Sequence, residues 1–164
     1  MTKTQITPDQ DAVVSEIEIA APPDRVFKAI VDREQALQWG AHEAFEITAW
    51  DLEPRVGGSW RFTSVEKATN KEYKHCGEVF EIDPPRVLAY TWLADFHTIP
   101  SQRTVVRWEL APTPTGTRVK ITHSGLAQLP KERAEYGQGW PGVLAAIKTY
   151  LEKPSSRKQQ GITD

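Results

Sequence analysis

The 164-residue sequence contains a single cysteine, Cys76, so no internal disulfide can form. It also lacks an excess of charge, because 20 basic and 22 acidic residues give a formal net charge of −2. Such a balance gives no electrostatic footprint for nucleic acid or for an anionic membrane. Long hydrophobic runs are missing as well: the N-terminus "MTKTQITPDQD" has no apolar segment of a secretory signal, and no stretch approaches the ~20 apolar residues of a membrane span. These absences predict a cytoplasmic protein with no nucleic-acid partner and no membrane span.

Motifs for metal and cofactor chemistry are scarce too. The four histidines (His42, His75, His97 and His123) show no paired spacing such as H-x-x-x-H. The chain has neither a G-x-S-x-G nucleophile elbow nor a phosphate-binding loop. We therefore expect no metal site, no cofactor and no catalytic nucleophile, which favours a non-enzymatic function.

The length and the absence of internal repeats indicate one domain with a single core. Residues 1–11 are polar and include a proline, and residues 154–164 are polar after Pro154. We expect a folded domain over residues 12–153 between two flexible tails, 1–11 and 154–164.

Alternation of apolar and polar residues predicts most of the fold. The order is one strand ("VVSEIEI"), two short helices ("PPDRVFKAIVD" and "REQALQW"), six further strands and a long C-terminal helix. Short turns between successive strands predict antiparallel pairing, so the expected fold class is α+β with a curved seven-stranded sheet. The last helix carries one apolar stripe that would cover the sheet: Trp140, Val143, Leu144, Ile147 and Leu151.

The stretch "EYGQGWPGVLAAIKTYLE" contains residues that helices normally avoid just where this helix is expected. Pro141 would either kink a helix that runs through it or stand in the first turn of a helix that begins there. Gly137, Gly139 and Gly142 would let the helix backbone approach the sheet, or let a ligand approach the backbone. Trp140 would point inward, either as core packing or as a wall of a cavity.

Several ordered segments resemble one known family. They are "IAAPPDRVFKAI", "VGGSWRF", "GEVFEIDPPRVLAYTW", "VVRWELAPTPTGTRVKITHSG" and the final "GW..VL..I..YL", together spanning residues ~13–152. The sequence is similar to the activator of heat-shock-protein-90 ATPase homologue-like family, within the START-like (SRPBCC) superfamily. That resemblance implies a helix-grip fold with a cavity between the sheet and the C-terminal helix, and a ligand such as a lipid, a polyketide or another small hydrophobic or aromatic molecule.

Six tryptophans are the most distinctive feature of the composition, and aromatic side chains either fill a core or line a pocket. Strand alternation places many large side chains on the face turned to the helix, and His123 follows Val119 and Ile121 on that face. The strand register leaves the orientation of His75 open. The expected ligand-binding residues are Trp60, Phe62, His75, Tyr90, Trp92, Trp108, His123, Trp140 and Leu144.

Two other functions remain open from the sequence. A polyketide cyclase-like or hydrolase-like enzyme would use His123 as an acid–base group, with Tyr90 orienting the substrate. A chaperone-linked or stress-linked interaction module would instead have a filled core and a protein partner. An exposed Trp50 or an unpaired edge strand would support a homodimer.

Overall fold

The computed structural model describes residues 2–41 and 44–153. Eight strands and three helices follow one another along the chain: β1 Lys3–Ile6, β2 Val13–Ile19, α1 Pro23–Val31, α2 Arg33–Trp39, β3 Phe45–Leu52, β4 Ser59–Glu66, β5 Lys71–Asp83, β6 Val87–Ala94, β7 Thr104–Thr113, β8 Gly116–Ser124 and α3 Pro130–Glu152. The predicted α+β class is confirmed, and the helices and strands follow the predicted order after β1.

All eight strands form one open antiparallel sheet in the order β1-β2-β8-β7-β6-β5-β4-β3. The predicted seven strands were one too few, because Lys3–Ile6 pairs with β2 at the edge of the sheet. All four residues of β1 are exposed, so this strand is held by backbone pairing and shows no apolar alternation. The stretch expected to be an N-terminal tail thus contributes a strand, whereas the expected tail at 154–164 lies outside the described residues.

Two short helices pack against the sheet, α2 on β3 and α1 on β7 and β8. The residues at their N-terminal ends explain where each helix begins. Pro23 begins α1, where its missing N–H costs nothing, and Val26, Phe27 and Ile30 are buried. The side chain of Asp32 accepts a hydrogen bond from the backbone N–H of Gln35 at 3.2 Å and so caps α2.

The long helix α3 begins at Pro130 and runs through Pro141, so the alternative of a helix starting at Pro141 was wrong. Its predicted stripe is buried at Trp140, Leu144, Ile147 and Leu151, and it packs against β2. Of the two alternatives for the glycines, a close approach of the helix backbone to the sheet is wrong: apart from the helix's own backbone, a Cβ atom added at Gly137, Gly139 or Gly142 would meet no atom within 4 Å. The approach of a ligand to the backbone there stays a prediction.

A β-bulge settles the uncertain register around His75. Residues 75 and 79 are buried on the face turned to α3, and the pairing of β5 with β6 then shifts between Val79 and Glu81. The shift leaves Phe80 exposed, while Ile82 packs against the core. No helix among the described residues is long and apolar enough to cross a bilayer.

Candidate functional site: an aromatic cluster under the last helix

Nine rings on the inner face of the sheet and on α3 form one continuous set of contacts, which we call the aromatic cluster. Neighbouring ring centroids lie between 4.0 and 6.2 Å apart. The cluster consists of Trp50, Trp60, Phe62, His75, Tyr90, Trp92, Trp108, His123 and Trp140. Eight of the nine side chains that the sequence singled out therefore lie in it, and the ninth, Leu144, is buried in the adjoining core.

His123 is fully buried, and both of its ring nitrogens have partners. The indole Nε1 of Trp140 donates to Nδ1 at 3.1 Å, and Nε2 lies 2.9 Å from the hydroxyl of Thr104. An indole N–H can only donate, so Nδ1 is the acceptor and the neutral ring carries its proton on Nε2. The Thr104 hydroxyl then donates to the carbonyl oxygen of Trp92 at 2.9 Å. This relay joins β6, β7, β8 and α3 and fixes the tautomer of His123.

Burial lowers the pKa of His123 well below its ordinary value, with smaller contributions from His97 and His75. The geometry agrees, because protonating Nδ1 would set two N–H donors against each other at Trp140. A ring that is buried, neutral and bonded at both nitrogens has no free atom for proton exchange with a substrate. The contacts of His123 are those of a structural residue, and they do not support the acid–base role that the sequence left open.

Tyr90 is likewise held inside the cluster. Its ring stacks on Trp60 at 4.4 Å, and its hydroxyl oxygen accepts a hydrogen bond from Nε1 of Trp108 at 2.9 Å. Burial raises the pKa of Tyr90, so the phenol stays protonated in the physiological range.

Tyr136, which the sequence analysis missed, connects the cluster to the loop that follows β6. Its hydroxyl accepts from Nε1 of Trp92 at 2.9 Å and lies 2.7 Å from Nε2 of His97. Tyr136 stands four residues before Trp140, so the apolar stripe of the helix could have been extended to it. His97 lies in a loop, where no periodic signal marks it, and burial lowers its pKa.

The same loop is tied to α3 by a buried carboxylate. Glu132 is only 1% exposed and accepts hydrogen bonds from the backbone N–H and the hydroxyl of Thr98. Burial by itself raises the pKa of Glu132, but the hydrogen bonds from Thr98 and from its own backbone, together with the charge of His97, outweigh burial and the net shift is downward. Glu132 and Tyr136, one turn apart on α3, thus hold residues 97–98 over the end of the cluster.

Three partly exposed rings border the cluster on the side of β3, β5 and the loop after β6. We call Phe45, Tyr73 and Phe96 the aromatic rim. Phe45 contacts Tyr73 at 6.3 Å, Tyr73 contacts Phe96 at 5.4 Å, and Phe96 contacts Tyr136 at 6.2 Å. Phe96 also contacts the buried His75 at 5.5 Å. Phe45 is 37% exposed, so an unbroken series of rings leads from the surface to the interior.

Two open clefts have no lining residue on α3. One, of about 510 Å³, is bordered by Phe62 and His75 of the cluster, but most of its lining residues alternate along the strands with inward-facing ones: Ala49, Asp51, Arg61, Phe62, Thr63, Lys74, His75, Cys76, Leu93, Ala94, Asp95 and Pro100. The other, of about 410 Å³, lies between the α1–α2 junction and strands β3 and β4. The expected internal cavity is thus not among these clefts, because the large rings that were expected to line it pack against one another.

The structure also bears on the predictions about Trp50 and about metal binding. Trp50 is 3% exposed, so the suggestion of an exposed Trp50 at a homodimer interface was wrong. Within residues 2–41 and 44–153, no three His, Cys, Asp or Glu side chains lie close enough together to hold a metal ion. His42 falls outside the described residues.

Comparisons with known proteins agree with this architecture. Solved structures with the same fold include a Rhodobacter sphaeroides protein (17% identity, TM-score 0.78, covering 92% of this chain and 97% of that one). They also include a Mesorhizobium loti protein (25% identity, TM-score 0.70, 88% and 98% covered). The AHSA1 protein of Silicibacter pomeroyi is 24% identical, with a TM-score of 0.72 and 85% and 96% covered.

A search of curated proteins found no match. The family model described as Activator of Hsp90 ATPase homolog 1-like protein, in contrast, matches residues 20–152, which include every helix and every strand from β3 onward. The chain belongs to that family, with its START-like helix-grip fold.

Proposed function

We propose that this protein binds a small hydrophobic or aromatic molecule between the sheet and α3, through the aromatic rim and the adjoining part of the aromatic cluster. One observation carries the proposal: the rim rings are partly exposed yet in ring-to-ring contact with buried rings. Exposed aromatic groups joined into one patch mark binding surfaces more often than isolated ones do. A flat apolar ligand could insert between these rings, so that ring–ring contacts within the protein are replaced by equivalent contacts between the rings and the ligand.

The size of the surface limits the affinity. Burying roughly 200–300 Å² of apolar ligand surface at about 25 cal/mol/Å² gives on the order of 5–8 kcal/mol before the costs of association. A dissociation constant of about 1 μM corresponds to ~8 kcal/mol, so we expect binding in the micromolar range or weaker. Of the nine residues chosen from the sequence, Trp60, Phe62 and His75 are proposed as the wall of the site, with Phe62 and His75 nearest the rim, and the other six as the packed support behind it.

The proposal is tested by a thermal-shift screen with flavone, a long-chain fatty acid and a sterol, read together with tryptophan emission. A ligand at ten times its dissociation constant stabilises the folded state by about 1.4 kcal/mol. For a chain of this length that raises the melting temperature by roughly 3–6 °C. We expect the flat aromatic probe to give such a shift and to change the emission of the buried tryptophans.

A matched pair of variants locates the site. Phe96→Leu removes a rim ring, whereas Phe80→Leu removes an exposed ring that lies at the bulge of β5 and outside the rim. Affinity should fall in Phe96→Leu and stay at the wild-type value in Phe80→Leu. Equal effects of the two variants, or the absence of any shift with all three probes, would refute the proposal.

A further inference from the structure

The aromatic cluster contains polar atoms that the protein itself does not use. Nε1 of Trp50, Nε1 of Trp60 and Nδ1 of His75 are buried and have no hydrogen-bond partner in the part of the chain that the structure describes. The three side chains are 3%, 0% and 6% exposed. A buried donor without a partner costs about 1–3 kcal/mol, and native proteins contain few of them.

These three atoms lie in one neighbourhood. The rings of Trp50, Trp60 and His75 all contact Phe62, at centroid distances of 5.6, 5.7 and 4.0 Å. Phe62 and His75 are paired across β4 and β5, and His75 in turn contacts Phe96 of the rim. The unused polar atoms are therefore found on the side of the cluster that adjoins the rim.

The other four indoles make a clear contrast, because each donates to a partner within the protein. Their acceptors are a backbone carbonyl for Trp39, and Tyr136, Tyr90 and His123 for Trp92, Trp108 and Trp140. In the half of the cluster under α3, every indole N–H thus has an acceptor within the protein. In the half around Phe62, the indole N–H groups of Trp50 and Trp60 have none among the described residues.

The chemistry of these atoms defines what they would bind. An indole N–H can only donate, so its complement is an acceptor oxygen. Burial lowers the pKa of His75 to about 3, so at neutral pH the ring is uncharged and offers no ion pair to a carboxylate or a phosphate. Arg61, on the neighbouring position of β4, is exposed. The surroundings thus suit an uncharged oxygen.

Building on the proposed function, we propose that the ligand is a flat aromatic molecule with an uncharged carbonyl oxygen, which accepts hydrogen bonds from Nε1 of Trp50 and Trp60. His75, stacked on Phe62, completes the polar side of this subsite. The same site discriminates against charged head groups of equal size, because no Lys or Arg is buried among the described residues, and Arg61 and Lys74, which line the cleft shared with Phe62 and His75, are exposed.

Three probes of nearly equal shape test the inference in the intact chain: fluorene, 9-fluorenone and fluorene-9-carboxylate, compared by equilibrium dialysis. We expect 9-fluorenone to bind about tenfold more tightly than fluorene, the gain of one to two hydrogen bonds, and the carboxylate to bind more weakly than the ketone. Equal binding of fluorene and 9-fluorenone would overturn the inference but leave the proposed function standing. Failure of all three probes to bind would overturn the proposed function and the inference with it.

Variants assign the effect to single atoms. Trp60→Phe removes an unpaired N–H, and Trp108→Phe, the matched control, removes an N–H that already donates to Tyr90. The preference for the ketone should fall to about threefold in the first, because Trp50 still donates, and stay about tenfold in the second. If Trp60→Phe fails to fold, replacement of Trp60 by benzothienylalanine keeps the ring shape while sulfur takes the place of the N–H. A full ketone preference in that protein would overturn the assignment to Trp60.

Discussion

Buried neutral histidines should make this protein lose stability at mildly acidic pH. His123 and His75 have pKa values lowered from 6.5 by burial, to about 3 in the case of His75. A base whose pKa is lowered by folding contributes its full stability above its pKa in the unfolded chain, and this contribution is lost as the pH falls below that value. The window therefore opens at about pH 6.5 and extends downward.

The magnitude follows from the size of the window. Each pH unit below 6.5 favours the unfolded state by about 1.4 kcal/mol per histidine that stays neutral in the folded state. At pH 5.0 the loss is about 2 kcal/mol for His75, whose pKa is lowered to about 3, and His123 adds a loss of the same sign. That is a large share of the 5–15 kcal/mol typical of a domain. Carboxylates such as Glu132, whose folded pKa lies below 4.5, lose their contribution only at lower pH.

Urea unfolding at pH 7.5 and pH 5.0 measures the loss, and His123→Gln isolates one histidine. This variant is expected to be less stable at both pH values, but its loss between them should be smaller than that of the wild type. NMR titration of the wild-type protein should show the His123 ring protonating well below pH 6.5. If the variant had the wild-type pH dependence, or if the ring titrated near pH 6.5, the burial argument would be refuted.

Three further predictions concern packing. Gly139→Ala and Gly142→Ala should each stabilise the protein by up to ~1 kcal/mol in urea unfolding, because the added Cβ meets no atom within 4 Å; no gain in either variant would contradict this. Gly77→Ala should instead be strongly destabilising, since its Cβ would overlap the backbone carbonyl of Thr91, and a wild-type melting temperature would refute that reading. Thr104→Val should cost about 1–3 kcal/mol by leaving His123 without an acceptor, whereas the half-buried Thr63→Val serves as control and should change the free energy of unfolding little.

The sequence predicted those features that rest on local periodicity. Strands β2, β7 and β8 alternate strictly, so His123 was placed inward, and the spacing of Trp140, Leu144, Ile147 and Leu151 gave the buried face of α3. Both patterns arise because a side chain's direction is fixed by its position in a regular element.

The features that escaped prediction depend on contacts distant in sequence or on irregular backbone. Strand β1 has no buried residue and pairs through its backbone and one hydrogen bond between the hydroxyls of Thr4 and Ser15, and the bulge beside Val79 interrupts the alternation that would have oriented His75. Glu132 is charged, so its burial follows only from Thr98, which lies 34 residues away in sequence. Whether large rings fill a space or surround one depends on how they pack, which no periodicity shows.

The distribution of hydrogen bonds divides the aromatic cluster into two parts with different roles. Within the cluster, the ring nitrogens of Trp92, Trp108, His123 and Trp140 are all bonded, and such a satisfied buried network mainly contributes stability and a unique packing. Around Phe62 three nitrogens are unpaired, which costs stability unless a ligand supplies the missing partner. Substitutions in the two parts should therefore separate: changes at Thr104 or Trp108 lower the free energy of unfolding and leave the preference for the ketone intact. Replacing Trp60 by benzothienylalanine, which removes only the N–H, should not lower the free energy of unfolding but should lower the preference for the ketone. If substitutions in the two parts changed both quantities alike, the division would have no functional meaning.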